Sequence, residues 1–137
     1  MLTTGLIHPG ILRALAGAGH GARVLLADAN YPHSTGIGQR AELIHLNLTP
    51  GVVDAVTVLR ALTSVAQFEA ASVMVPPDGD VPPIGGEFAA VLGLPLSTLG
   101  RSEFYAAARS DDVALAIATG EQRLYGNLLL TVGAWTG

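Results

Sequence analysis

Histidine, carboxylates, arginine, phenols and hydroxyls must supply any chemistry in this chain, because its 137 residues include no cysteine and no lysine. Thiolate nucleophiles, disulfides and cysteine-based metal sites are excluded by the first absence. Schiff-base aldolases and pyridoxal phosphate enzymes are excluded by the second, since both need a lysine amine. Among the remaining side chains His20 stands out, in Gly19-His20-Gly21. Flanking glycines permit unusual backbone angles and close approach of a ligand. An imidazole titrates near pH ~6.5 and can give or take a proton at neutral pH. The competing reading is a surface loop histidine.

Asp28 ends a short apolar run, Arg23 to Ala27. In α/β proteins the carboxyl end of a strand is where ligands bind, and a carboxylate there can grip hydroxyls. The competing reading is a turn cap, since Asp bonds its own backbone readily. Tyr125-Gly126-Asn127 places a phenol and an amide at alternate positions, which share a side of an extended chain and suit hydroxyl groups. Arg101 offers a donor to a ring or hydroxyl oxygen, although a solvated helix-end arginine is common. His8, His33 and His45 show no close pairing of zinc-motif type. His45 reads as structural, while His33 falls in a loop that could line a site. Gly36-Ile37-Gly38 lacks the glycine spacing of a dinucleotide fingerprint and the lysine of a phosphate-binding loop.

These residues need elements to position them. Pro9 to Ala18 reads as a helix with proline in its first turn. Arg23 to Ala27, Glu42 to Leu48, Ala70 to Val75, Leu94 to Leu99, Val113 to Ala118 and Asn127 to Val132 read as strands. Ala29 to Gln39 reads as a loop. Thr49-Pro50 is expected to start a helix running to about Leu62. Pro76 to Gly86, with four prolines and three glycines, is expected to be a long surface loop. Short helices are expected at Glu87 to Leu92 and Ser102 to Arg109. Alternating helices and apolar strands predict an α/β domain whose sheet is buried on both faces. The length suits one domain, residues 1–137.

Half the residues are apolar and only 13% are charged, more apolar than a monomer of this size needs. The excess predicts a homo-oligomer or a ligand groove. The net charge of −4 and the seven scattered arginines argue against nucleic acid, which requires clustered cations. No apolar run is long enough to span a bilayer, and Met1 to Ile7 lacks the basic start of a signal peptide. A cytoplasmic protein is the resulting expectation, with no membrane partner.

The order of several pieces resembles the ribose pyranase and fucose mutarotase family nearly end to end. They are Gly19-His20-Gly21, Leu26-Ala27-Asp28-Ala29-Asn30-Tyr31-Pro32, Arg101 with Phe104-Tyr105, Thr119-Gly120-Glu121, and Tyr125-Gly126-Asn127-Leu128-Leu129-Leu130. The resemblance implies a three-layer α/β/α sandwich and ring-based decamers with sites near subunit contacts. It implies that His20 is the catalytic proton donor and that Asp28, Arg101, Tyr125, Gly126 and Asn127 bind a monosaccharide. Arginine at position 101 is similar to the fucose branch. Asn30, where fucose mutarotase has histidine, and the proline-rich loop depart from it. The implied activity is sugar ring opening and closing, which needs no cofactor and no metal. A non-catalytic sugar-binding or transport-accessory protein, a D-ribose pyranase and a purely structural subunit are the alternatives.

Overall fold

The computed structural model describes all 137 residues. Ten elements follow in chain order: α1 (Pro9–Ala18), β1 (Arg23–Ala27), β2 (Glu42–His45), α2 (Ala55–Thr63), β3 (Phe68–Met74), α3 (Pro83–Leu92), β4 (Leu96–Leu99), α4 (Arg101–Ala108), β5 (Val113–Ala118) and β6 (Leu128–Val132). The strands form one mixed sheet in the order β2-β5-β1-β6-β3-β4. β1, β2 and β5 pair in parallel, as do β3 and β4. β6 is antiparallel to both β1 and β3, so it alone is reversed.

Alternation along the strands divides the core in two, because successive strand side chains point to opposite faces. Val24, Leu26, Val73, Leu115, Ile117, Leu128 and Leu130 pack on one face with Ile11 of α1, Leu59 and Leu62 of α2, and Ile84 and Phe88 of α3. Leu25, Ala27, Met74, Ala116 and Leu129 pack on the other with Phe104 and Ala108 of α4 and with Tyr31. The result is the expected three-layer sandwich, with a thinner layer made by α4 and the segment after β1.

Two helix starts differ from expectation. α2 begins at Ala55, where the Asp54 carboxylate accepts the Thr57 N–H at 3.3 Å. Thr49 instead bridges to Val52 in a tight turn, and β2 stops at His45. The side-chain cap therefore comes from Asp54, and Thr49-Pro50 belongs to a turn. Residues 83–86, expected in a loop, form the first turn of α3 with Pro83 at its start. Proline there sacrifices an N–H that has no helical partner in any case.

The reversal of β6 decides which groups meet at each end of the sheet. The carboxyl ends of the five parallel strands share an edge with the start of β6. Asp28, residues 119–121, Arg101 and Asn127 all follow or precede strands at that edge. The opposite edge carries residues 19–22, Glu69 and the end of β6, with the Gly21 N–H donating to the Val132 carbonyl at 2.9 Å.

Candidate functional site

Asp28 is the centre of the first edge. It is 4% exposed, and both carboxylate oxygens accept hydrogen bonds. Oδ1 accepts the Asn30 N–H at 3.0 Å, the turn-cap bond anticipated as its competing role. Oδ2 accepts the Gly126 N–H at 3.2 Å and Asn127 Nδ2 at 3.1 Å. Asn127 returns a bond, its Oδ1 accepting the Asp28 N–H at 2.8 Å. The start of β6 is thereby tied to the end of β1 across nearly 100 residues of chain. Burial pushes the Asp28 pKa up, and the bonds from Asn30, Gly126, Tyr31 and Asn127 offset this only partly.

Gly126 has no room for a side chain. A Cβ there would lie 2.8 Å from Glu121 Cγ and 2.9 Å from the Arg123 carbonyl oxygen. Tyr125 carries φ of 59°, the left-handed region that non-glycine residues rarely occupy. The extended backbone expected through residues 125–127 is thus corrected at its first residue. The alternate-position argument fails there, yet Tyr125 and Asn127 still face the same cavity.

That cavity measures about 230 Å³ and is lined by Asp28, Asn30, Tyr31, Arg101, Tyr105 and Tyr125 among others. Its size falls just below the roughly 300–1,000 Å³ of drug-sized ligand sites, which suits a single small ring. Arg101 starts α4 and holds its guanidinium 5.7 Å from the centre of the Tyr105 ring. Tyr31 is buried, and its hydroxyl donates to the Gly36 carbonyl at 2.7 Å. Burial first, and the neighbouring Tyr105 second, push its pKa well above the ordinary phenol value, so it stays a neutral donor. An adjoining, larger cleft of about 470 Å³ shares Asn30 and adds Asn47, Thr49 and Gln122.

Beneath the site lies a second polar lock that sequence reasoning did not assign. Glu121 is 3% exposed and accepts from the Ala55 N–H, from the Arg123 N–H and from the Arg123 guanidinium at 2.9 and 3.0 Å. Burial opposes its charge, but the bonds from Arg123 and Ala55 outweigh burial and hold its pKa below the usual carboxylate range. Arg123 also meets Glu87 of α3. Thr119 donates to the Ala27 carbonyl at 2.8 Å, closing the β1–β5 edge. The Thr119-Gly120-Glu121 string was visible in the sequence; its burial was not, because Ala55 of α2 meets Glu121 only across 66 residues of chain.

The other histidines take structural places. His8 caps α1, its Nδ1 accepting the Ile11 N–H at 3.3 Å. His33 bonds the Asp28 carbonyl through Nε2 at 3.1 Å and stacks edge-on near His45, ring centres 6.3 Å apart. Burial lowers the His33 pKa. His33 does not line the cavity. No group of three or more His, Asp or Glu side chains is placed to hold a metal ion.

His20 is the exception to the clustering. It sits at the opposite edge of the sheet, where Nε2 lies 3.0 and 3.1 Å from the two oxygens of Glu69. β1 alone separates the edges by about 17 Å, five residues at ~3.3 Å each. Within one chain His20 therefore cannot touch a ring bound at Asp28. Asp28, Arg101, Tyr125, Gly126 and Asn127 are brought together, and His20 is not.

A mixed sheet of this order, covered by helices on both faces with a polar cavity where β6 reverses, defines a small α/β class of proteins. The chain belongs to the RbsD / FucU transport protein family, whose model matches residues 1–135. It is 33% identical over 137 residues to the D-ribose pyranase of Pseudomonas putida (strain W619), covering 97% of this chain and 98% of that one. It is 35% identical over 138 residues to the fucose mutarotase of Bos taurus, covering 93% and 89%. The solved fucose mutarotase from Streptococcus pneumoniae in complex with L-fucose superposes with a TM-score of 0.79 at 27% identity, covering 95% of each chain. No helix is long and apolar enough to cross a membrane.

Proposed function

We propose that this chain is a monosaccharide mutarotase, interconverting the anomers, or the pyranose and furanose forms, of a reducing sugar. The observation that carries the reading is the cavity at Asp28. A buried carboxylate–amide lock holds Tyr125 and Asn127 beside Arg101, Tyr31 and Tyr105, a set of donors and acceptors matched to sugar hydroxyls. The family membership and the sugars in its relatives' names support it. L-fucose and D-ribose are the first two substrates to test; Arg101 and the 125–127 segment favour L-fucose through the resemblance to that branch.

In the reaction, the anomeric hydroxyl gives its proton to solvent water as C1 becomes a carbonyl and the C1–ring-oxygen bond breaks. The ring oxygen gains a proton, the aldehyde rotates, and the ring closes on the other face. His20 is the donor in this reading, and general acid–base catalysis by one such group gives ~10² to 10⁴-fold. Asp28 mainly positions the 125–127 segment, since three donors already occupy its oxygens. Because His20 lies at the far edge, the complete site takes His20 from a neighbouring copy of the chain. Exposed Leu124, which borders the cavity, and exposed Leu48 and Trp135 supply apolar surface for such an assembly. A ring-based decamer is the proposed form.

The separation of His20 from the cavity also favours a second reading, a sugar-binding protein without catalysis. Saturation-transfer NMR of anomer exchange decides between them. Exchange of L-fucose, D-ribose or D-galactose should be faster with protein than in buffer. Rates equal to buffer for every reducing sugar, with binding still detected, would establish the second reading.

A further inference from the structure

Glu69 enters no assignment made so far, yet two independent features aim it at His20. The first is hydrogen bonding. Both Glu69 oxygens lie within 3.1 Å of His20 Nε2, and Nδ1 has no partner within the chain. The second is backbone geometry. Phe68 pairs with Val132 and Ala70 with Thr131, so Glu69 is an extra residue in the β3–β6 ladder. Such a bulge breaks the alternation of faces and redirects a side chain. Glu69 and Ala70 are accordingly exposed in succession. On the other side, the Gly21 N–H to Val132 bond pins the His20 turn to the end of β6.

The geometry points to Glu69 as the positioning residue that fixes the imidazole of His20, accepting the Nε2–H and leaving Nδ1 as the nitrogen that exchanges a proton with substrate. A carboxylate can only accept, so the hydrogen-bonded nitrogen must be the one that keeps its proton. A carboxylate accepting from one ring nitrogen sets both the tautomer and the orientation of the imidazole. In the forward step the imidazolium form of His20 breaks its Nδ1–H bond, an O–H bond forms at the sugar ring oxygen, and the anomeric proton passes to solvent water. The imidazole is left neutral with its Nε2–H still held by Glu69. On ring closure the same proton returns to Nδ1. The assignment rests on the mutarotase reading above for its catalytic meaning; the choice of nitrogen does not.

Long-range 1H–15N NMR of histidine-labelled protein tests it, with the His20 signals identified by their loss in His20→Gln. The neutral ring of the wild type should carry its proton on Nε2. Glu69→Ala should lower kcat about tenfold with KM little changed, a fraction of what an acid–base group contributes. Glu69→Gln keeps an acceptor oxygen and should recover most of that loss along with the wild-type nitrogen pattern. The half-exposed position of Glu69 makes the folded spectrum of both variants the expected control. A wild-type ring protonated on Nδ1, or Glu69→Ala with unaltered kcat, would overturn the assignment. A wild type that accelerates no sugar's exchange would instead refute the mutarotase reading and leave the nitrogen pattern to decide the role of Glu69.

Discussion

Replacing Asp28 by asparagine removes one proton acceptor and inserts a donor in a place where no donor fits. The wild-type carboxylate accepts from Asn30 N–H, Gly126 N–H and Asn127 Nδ2. If the new amide turns its oxygen to Asn30, its NH2 faces the Gly126 N–H and the Asn127 amide nitrogen. Flipping Asn127 to present oxygen does not rescue the pair, because its NH2 then faces the N–H of residue 28, whose acceptor in the wild type is the Asn127 oxygen. Turning the oxygen towards Gly126 leaves the Asn30 N–H opposite a donor. Every arrangement leaves at least one donor unsatisfied. A buried unsatisfied group costs about 1–3 kcal/mol, and charge-assisted bonds are worth more than the neutral ones replacing them. Asp28→Asn should therefore destabilise the fold by about 2–4 kcal/mol and lower Tm by roughly 10 °C for a chain of this size. Protomer concentration must be matched, since assembly shifts Tm. The loss should be smaller at neutral than at low pH. The folded pKa of Asp28 is raised, so the native state holds its proton more tightly than the unfolded chain. That contribution is fully present below the unfolded value of 3.8 and is lost as pH rises through the higher folded value. Asparagine does not titrate, so the variant lacks this term at every pH. Urea unfolding of both proteins across that range, with sugar binding followed by NMR titration, checks the reasoning. A variant within 0.5 kcal/mol of wild type and binding sugar equally well would refute the interlocked account of Asp28 and Asn127.

Glu121→Gln should show the opposite pH behaviour: its folded pKa is lowered, so its contribution is present above the unfolded value of 4.5 and disappears as pH falls through the folded one. Urea unfolding followed by circular dichroism should show the variant less stable than wild type at neutral pH and the gap closing as pH falls; a gap independent of pH would refute the Glu121 account. Gly126→Ala should cost roughly 1–3 kcal/mol of stability, because the Cβ meets the Arg123 carbonyl and cannot be relieved by a rotamer; an unchanged denaturation midpoint would show that the segment yields. His20→Ala should reduce kcat by about 10² to 10⁴-fold with sugar still bound, read by saturation transfer and titration. Light scattering on dilution, paired with the exchange assay, should show activity lost as the assembly dissociates; a fully active monomer would disprove that a neighbouring copy supplies His20.

Short-range patterns carried much of the molecule. The runs Arg23 to Ala27 and Val113 to Ala118 became β1 and β5 with those boundaries, because a strand buried on both faces must be apolar throughout. Pro9 to Ala18 likewise became α1, with proline where its missing N–H is harmless. Pro83 obeys the same rule, yet residues 83–86 lie in a stretch rich in proline and glycine whose composition reads as loop. The helix start near Thr49 was misplaced because Thr49 and Asp54 are both competent caps, and only the packing of α2 on the sheet selects between them. The site divides along the same line. The kinds of residue at positions 28, 101, 125, 126 and 127 were legible because each sits next to an element end. Their convergence was decided by the reversal of β6, which brings Asn127 to Asp28 across almost the whole chain. The burial of Glu121 against Ala55 and the bulge that turns Glu69 to His20 also arise from contacts distant in sequence. Local periodicity reports which face of an element is apolar. It places His20 and Asp28 at opposite ends of the Arg23 to Ala27 strand, but it carries no information on which strands become neighbours, and so could not show that Asn127 locks onto Asp28 from the reversed β6.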